Sequence, residues 1–331
     1  MQILIFSPYF GILSMWNNYS CSNAERTDTI KTLKLIYNDN AGNRSFKHEL
    51  DSILKIFTEA KYDISILRAQ TLSDITTNLA RALPGQYHTI VAAGGDGTLN
   101  AVINEVVKNN LESKIGIIPA GTANDFARFL KIEKPYTAAA EIIAKGHTTP
   151  VDIGRVNDSY FINVFGAGTI TNISHYVDAQ MKNTLGNMAY YLKAIEKMQS
   201  LNAIPVTIKN SRQTLSEEIY FFIALNSWGA GGFDKIVENA NVSDGYFDML
   251  AVKKGNIADI MALIMKFLKN EHIDDERIIY YQDNYTELVF DGAVDTNIDG
   301  ENGPPAPIRI DVMPRALEVF TQPTNTHRKG A

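Results

Sequence analysis

The chain has 331 residues, 45% of them hydrophobic and 21% charged, with 22 Gly and 11 Pro; this ordinary globular composition leaves room for two domains of about 150 residues and excludes disordered, collagen-like and low-complexity classes. A formal net charge of -6 offers no broad basic field to a nucleic acid backbone, so no nucleic acid partner is expected. The one cysteine, Cys21, excludes an internal disulfide and a zinc site built from several cysteines, and it fits a reducing, cytoplasmic compartment.

Met1 to Trp16 is uncharged and rich in Ile, Leu, Phe and Met. It is shorter than the roughly 20 apolar residues a bilayer span needs, and no Lys or Arg precedes it as in a secretory signal. Residues 1–30 are therefore read as an N-terminal extension. From Lys31, Leu33, Leu35 and Tyr37 alternate with polar residues and predict a strand that ends in the turn-rich pentad Asn38 to Gly42. Ser45 can cap a helix whose Phe46, Leu50, Ile53, Leu54 and Phe57 share one face. A strand over Tyr62 to Leu67, a helix through Ile75, Leu79, Ala82 and Leu83, and a strand over Thr89 to Ala93 follow. Leu99, Val102, Ile103, Val106 and Val107 mark a third helix, and Ile115 to Ile118 a fourth strand closed by Pro119. This alternation predicts an α/β domain over residues 31–150 with a largely parallel sheet.

After Pro150 the pattern changes to short strand-like runs: Val151 to Val156, Tyr160 to Phe165, Val206 to Lys209, Glu218 to Leu225, Tyr246 to Val252, Thr286 to Phe290 and Ile308 to Met313. Helices are expected only around Met188 to Leu201 and Ile257 to Lys269. Residues 151–331 are thus predicted to form a second, mostly antiparallel β-sandwich domain, with the extreme C-terminus packing back on the first. No Ser- or Gly-rich linker separates the two, so the active site is expected in the cleft between them.

Chemistry gathers at the ends of the first domain's strands. Gly94-Gly95-Asp96-Gly97-Thr98 joins a strand to a helix, where backbone N–H groups and the positive end of a helix dipole face a phosphate. A carboxylate there makes sense when Mg²⁺ lies between Asp96 and a polyphosphate; otherwise Asp96 is a helix cap in a glycine-rich turn. Pro119 to Arg128 repeats the logic one strand later: Gly121 and Thr122 form a second turn, and Asn124 and Asp125 stand at a helix start, as site residues or as caps.

VAAGGDGTLNAVINEV at residues 91–106, followed by IGIIPAGTANDFAR at residues 115–128, resembles the catalytic domain of the diacylglycerol kinase family, in its bacterial lipid kinase branch. The likeness runs from about Lys31 to about Phe320, through VDIG at Val151 to Gly154, YFINVFGAG at Tyr160 to Gly168 and GNMAYYLKAI at Gly186 to Ile195. It implies an ATP- and Mg²⁺-dependent lipid kinase that phosphorylates a lipid hydroxyl, that of diacylglycerol, to give phosphatidic acid. NAD kinases share GGDGT, and a silent lipid-binding protein of the same fold is a further alternative; GTANDFAR and the four carboxylates Asp96, Asp125, Asp299 and Glu301 argue against them.

Carried over by motif, Gly94, Gly95, Asp96, Gly97, Thr98, Leu99, Asn100 and Thr122 would bind ATP phosphates, with Asn38, Asp39, Asn40, Ala41 and Gly42 as the family's NPxxG loop. Asp39 stands where the family has Pro, which is expected to loosen the turn and bring a carboxylate near the nucleotide. The family also tends to place a nucleotide-contacting threonine after the second strand, and Thr71 stands near that position. The triplet Asp299-Gly300-Glu301 is a turn by composition; the resemblance makes Glu301 the catalytic base and sets Asp299 with Asp96 and Asp125 around Mg²⁺ and its water. Asn241, Asp244 and Tyr246 resemble a second, structural Mg²⁺ site, although an Asp-Gly turn needs no metal. Ile257, Ile260, Met261, Ile264 and Leu268, with Tyr190, Tyr191 and Trp228, are candidate lipid contacts or plain core. The expected partners are a lipid at a membrane surface, reached by peripheral contact at the inner face, and a second copy in a homodimer.

Overall fold

The computed structural model describes residues 31–42, 44–168, 202–231 and 235–323. Its first third holds four parallel strands, β1 (Lys31–Asn38), β2 (Tyr62–Ala69), β3 (Thr89–Gly94) and β4 (Lys114–Pro119), in the order β2-β1-β3-β4. Leu33, Leu35, Ile36, Ile90, Val91, Ile115 and Ile118 are fully buried along them. Parallel strands with helices on both faces bury both sets of side chains, and each large aliphatic contributes about 1.5–3 kcal/mol. The covering helices are α1 (Leu50–Glu59), α2 (Leu72–Leu79), α3 (Asp96–Lys108), α4 (Asp125–Phe129) and α5 (Tyr136–Lys145).

Two local expectations are corrected here. Ser45 makes no side-chain cap: a 3-10 turn over Phe46–His48 precedes α1, and the Ser45 hydroxyl is 2.8 Å from that of Tyr136. The second helix stops at Leu79, after which Arg81 and Ala82 make tighter three-residue turns onto Asn78 and Leu79, and Leu83, held out of helical backbone by Pro84, is exposed.

The rest is mainly antiparallel: β5 (Thr148–Val156), β6 (Ser159–Phe161), β7 (Val164–Gly168), β8 (Ile204–Asn210), β9 (Thr214–Leu225), β10 (Phe247–Lys253), α6 (Ile257–Leu268), β11 (Ile278–Asp283), β12 (Tyr285–Phe290), β13 (Thr296–Ile298), β14 (Glu301–Asn302) and β15 (Ile308–Phe320). The single strand expected over Tyr160 to Phe165 is two, β6 and β7. The N–H groups of Ile162, Asn163 and Val164 are drawn onto the Asp299 carboxylate at 2.9, 3.0 and 2.8 Å and interrupt the ladder. Strand β9 pairs with β8 through its first half, with β7 through its second, and with β10 along its other edge.

Strand β15 also outruns its expected end at Met313. Arg315, at φ +50°, sits in a bulge between Met313 and Leu317, after which the strand resumes and sets Val319 beside Ile115 of β4. Two cores share these strands. One gathers Leu35, Val91, Ile118, Val151, Ile153, Leu317 and Val319; the other gathers Val156, Phe161, Phe165, Ile208, Phe222, Phe247 and Ile310. Both β5 and β15 therefore run through the two cores and join them, which fits an α/β layer continuous with a β-rich one.

Helix α6 lays Ile260 and Leu263 on Tyr220, Leu250 and Val252, while Met261 and Met265 stay exposed. No helix among the described residues is long and apolar enough to cross a membrane. The expected helix at Met188 to Leu201, the segment Gly186 to Ile195 with Tyr190 and Tyr191, and Cys21 lie outside the described residues.

Candidate active site

In the order β2-β1-β3-β4, the chain leaves β1 toward one edge and β3 toward the other, so a crevice opens at their carboxyl ends between them. Three loops meet there. Asn38 at the end of β1 donates through Nδ2 to the Thr98 hydroxyl at 3.2 Å, and its Oδ1 accepts the Asn40 N–H at 2.9 Å. The Gly94 carbonyl accepts the N–H groups of Ala120 and Gly121 at 2.8 and 3.1 Å, which ties the loop after β4 to the one after β3. Gly42, at φ +53°, lies so close that a Cβ would fall 2.3 Å from the Ala120 carbonyl oxygen, so only glycine fits that approach. Ala41 closes the first turn with an N–H to the Asn38 carbonyl at 3.1 Å, and Thr122 is exposed at the rim.

Gly95 is the N-cap of α3, whose first N–H groups have no partner within the helix and present positive dipole to the crevice. Half-buried Asp96 begins that helix and accepts the backbone N–H groups of Asn124 and Asp125. Asp96, from the neighbouring loop, thereby caps α4, while the Asn124 side chain closes its own loop through Gly121 at 3.0 and 2.9 Å. Burial first, then the charges of Asp125 and Asp299, push the Asp96 carboxyl up to about 6. Asp125 is buried and paired with Arg128 at 2.6 Å. Glu301 is exposed on β14, and its Oε1 would lie 2.6 Å from a Cβ on Gly97, which puts its carboxylate directly over the first turn of α3.

Asp299 does something other than expected. Both its oxygens are occupied by protein: Oδ1 accepts the N–H groups of Asn163 and Val164, and Oδ2 accepts that of Ile162 and the Asn100 amide at 2.8 Å. Burial pushes this carboxyl up and the four donors oppose it. Its lone pairs face the β6–β7 junction, so it has no free oxygen for a metal and instead pins the turn that carries Glu301. Asp299→Asn turns one acceptor into a donor against these N–H groups and is expected to lower stability by about 1.5–3 kcal/mol, read as a shifted denaturant midpoint at unchanged slope.

The extent of the phosphate loop is also corrected. Leu99 is 4% exposed and belongs to the core, and the Asn100 amide is spent on Asp299 and the Tyr160 carbonyl, so neither side chain reaches the crevice. Asp39 is not a bare carboxylate on a loosened turn: it pairs with Arg68 at 2.5 Å, and its N–H is bound by the Ala69 carbonyl at 3.0 Å. Thr71 caps α2 in a capping box with Asp74.

Asn241, Asp244 and Tyr246 form a separate turn before β10. Asp244 is exposed and its Oδ1 accepts the Tyr246 N–H at 3.0 Å, while the Asn241 Oδ1 accepts that of Ser243 at 3.1 Å. Fully buried Asp152, within the VDIG stretch, takes the Gly245 N–H at 2.7 Å and the Arg315 N–H at 2.6 Å, and so holds this turn to the β15 bulge. Among the described residues no group of three or more His, Cys, Asp or Glu gathers as a metal set. Sequence reasoning overlooked Asp152 and Arg68, whose partners are visible only once the loops are folded, and Arg128, whose partner Asp125 is three residues away on the same short helix. It also left open the packing of Trp228, whose ring meets Phe129 of α4 edge-on at 5.1 Å.

Known families match both parts of the chain. The diacylglycerol kinase catalytic domain matches residues 32–156, and the YegS C-terminal NAD kinase beta sandwich-like domain matches residues 163–321. The diacylglycerol kinase of Bacillus subtilis (strain 168) is 36% identical over 275 residues, 83% of this chain and 91% of its own. That of Staphylococcus aureus (strain MRSA252) is 33% identical over 291 residues, 88% of this chain and 92% of its own. A crystal structure from Bacillus anthracis str. Sterne, described as a candidate diacylglycerol kinase, superposes with a TM-score of 0.76 at 26% identity and covers 89% of this chain and 96% of that one. With family matches across both cores and relatives aligned over most of its length, this chain belongs to the diacylglycerol kinase family of lipid kinases.

Proposed function

We propose that this lipid kinase, for which the family implies ATP as co-substrate, transfers the γ-phosphate to the hydroxyl of diacylglycerol and yields phosphatidic acid, in a cleft between lobes at residues 31–150 and 151–331. The observation that carries this reading is the meeting of three glycine-bearing loops at the amino end of α3, with the Glu301 carboxylate over Gly97. The first backbone N–H groups of α3, at Gly95 to Gly97, and that of Thr122 cradle the phosphates, and the Asn38–Gly42 turn closes their other side. Phosphoryl transfer asks the protein mainly for position and charge balance. Glu301 accepts the hydroxyl proton as that oxygen bonds to the γ-phosphorus and the bond to the bridging oxygen of ADP breaks. Asp299 acts on Glu301 through the turn it anchors.

The residues present fit Mg²⁺. Asp96 lies among other carboxylates, with Asp125 already paired to Arg128 and Asp299 saturated, so Asp96 is the group whose charge a cation would balance. One carboxylate plus substrate phosphates suits Mg²⁺, which when bound would neutralise phosphate charge. At the second expected site, the Asn241–Tyr246 turn is already closed by protein hydrogen bonds. If it also binds Mg²⁺ through Asp244, Asp244→Ala lowers the melting temperature in Mg²⁺ but not in EDTA; equal responses of both proteins to a Mg²⁺ titration make it an Asp-Gly turn alone.

Peripheral contact at the inner membrane face and a homodimer belong to the same proposal. Exposed Met261 and Met265 on α6 support the first, and sedimentation of the purified chain, with and without vesicles, tests both. The deciding assay is labelled ATP with diacylglycerol, monoacylglycerol, phosphatidylglycerol, sphingosine, undecaprenol and NAD. Label is expected in phosphatidic acid; label in the aqueous phase with NAD would reverse the reading.

A further inference from the structure

We propose that Arg68 is a charge-masking residue of the nucleotide pocket: by pairing with Asp39 it lets a carboxylate stand on a phosphate loop without repelling the polyanion bound there. This rests on the nucleotide reading given above. Asp39 is next to Asn38, whose amide reaches Thr98 in the first turn of α3, and the same loop ends at Gly42 against Ala120. Its charge therefore lies within the cluster of loops that cradles the phosphates. Uncompensated, it opposes each negative oxygen of ATP over a Debye length of about 8–10 Å.

Arg68 prevents this. It lies on β2 beside Tyr37 in the parallel register, and its guanidinium meets Asp39 Oδ2 at 2.5 Å. The hydrogen bond from Arg68, followed by the fields of Arg68, Lys47 and Arg44, holds the Asp39 carboxyl below its usual range, so it stands beside Arg68 as a charged group. Arg68 is half exposed, and an exposed pair adds little to folding. The effect belongs to ligand affinity.

The consequence is a sign. Arg68→Ala removes the one cation bonded to Asp39 among the described residues, leaving only the unbonded charges of Lys47 and Arg44, and is expected to weaken ATP and ADP binding about 10-fold, whereas Arg68→Ala with Asp39→Asn removes both charges and regains most of that loss. Calorimetry with ATP and ADP on wild type, both single variants and the double variant, at low and high KCl, reads this directly, together with KM and kcat. The loss should fall on Kd and on KM for ATP more than on kcat, and shrink with salt, while melting temperatures stay together. A double variant as weak as Arg68→Ala, or an Arg68→Ala protein with native affinity, overturns the proposal. Wild type that binds neither nucleotide overturns the nucleotide reading itself, and the masking role with it.

Discussion

Glu301→Gln is expected to slow turnover by about 10²- to 10⁴-fold, the usual range for loss of a general base, while nucleotide affinity stays near native. The side chain keeps its size and its place over Gly97 but can no longer take the hydroxyl proton. Glu301 is exposed, and the backbone that carries it is held by Asp299 rather than by its own carboxylate, so folding should be unaffected. Calorimetry with ATP, turnover with dispersed diacylglycerol and a melting curve separate the three quantities. Near-native turnover, or a loss of ATP affinity as large as the loss of rate, would move the base elsewhere. Asp299→Asn should differ by losing stability and rate together, because it loosens the turn that aims Glu301.

Asp96→Asn should cost on the order of 10³-fold in turnover, since transition-state charge in phosphoryl transfer is balanced electrostatically and this carboxylate is the one left to balance a cation. The pH dependence supplies a second readout. Asp96 has its carboxyl pushed from 3.8 up to about 6 in the folded chain, so between those values the folded state holds a proton that the unfolded state has released. Its stabilising contribution is complete below about 4 and is lost as pH rises through about 6. Without a divalent cation, stability should fall across that window. Added Mg²⁺ should raise the melting temperature above the window and have little effect below it, where the protonated carboxyl no longer attracts the ion. Asp96→Asn should abolish the pH step and, with it, the part of the Mg²⁺ response that follows that step. An Asp96→Asn protein that keeps its activity, or a wild type fully active in excess EDTA, would remove Asp96 from the metal site.

Much of the α/β half is legible in the sequence because helices and strands buried on one side or both imprint local periods. Leu99, Val102, Ile103 and Val106 recur at helical spacing and are buried on α3, and Thr89 to Ala93 is a short, mostly apolar run whose length and flanking glycines fit a buried strand. The glycine-bearing loops of the candidate site are legible because glycine and aspartate next to a strand end are themselves local signals. What failed locally failed where a distant partner took over: Ser45 turned to Tyr136, and Tyr160 to Phe165 broke where Asp299 claimed three N–H groups.

The sequence by itself determined a parallel α/β layer followed by antiparallel strands, and it pointed to Gly94–Thr98 and Gly121–Thr122, and through the family resemblance to Asp299–Glu301, as candidate chemical segments. Only the tertiary structure decided what each carboxylate faces. Asp96 caps α4, Asp299 is enclosed by donors more than 130 residues away, and Asp39 is matched by Arg68 at a separation of 29. It also decided that β1 and β3 would flank the crevice and that β15 would return to β4. The physical reason is range. A period or a turn is written by neighbours within about one helical turn, whereas the partner of a buried charge is chosen by strand order and register, which are settled only when separated segments pack together.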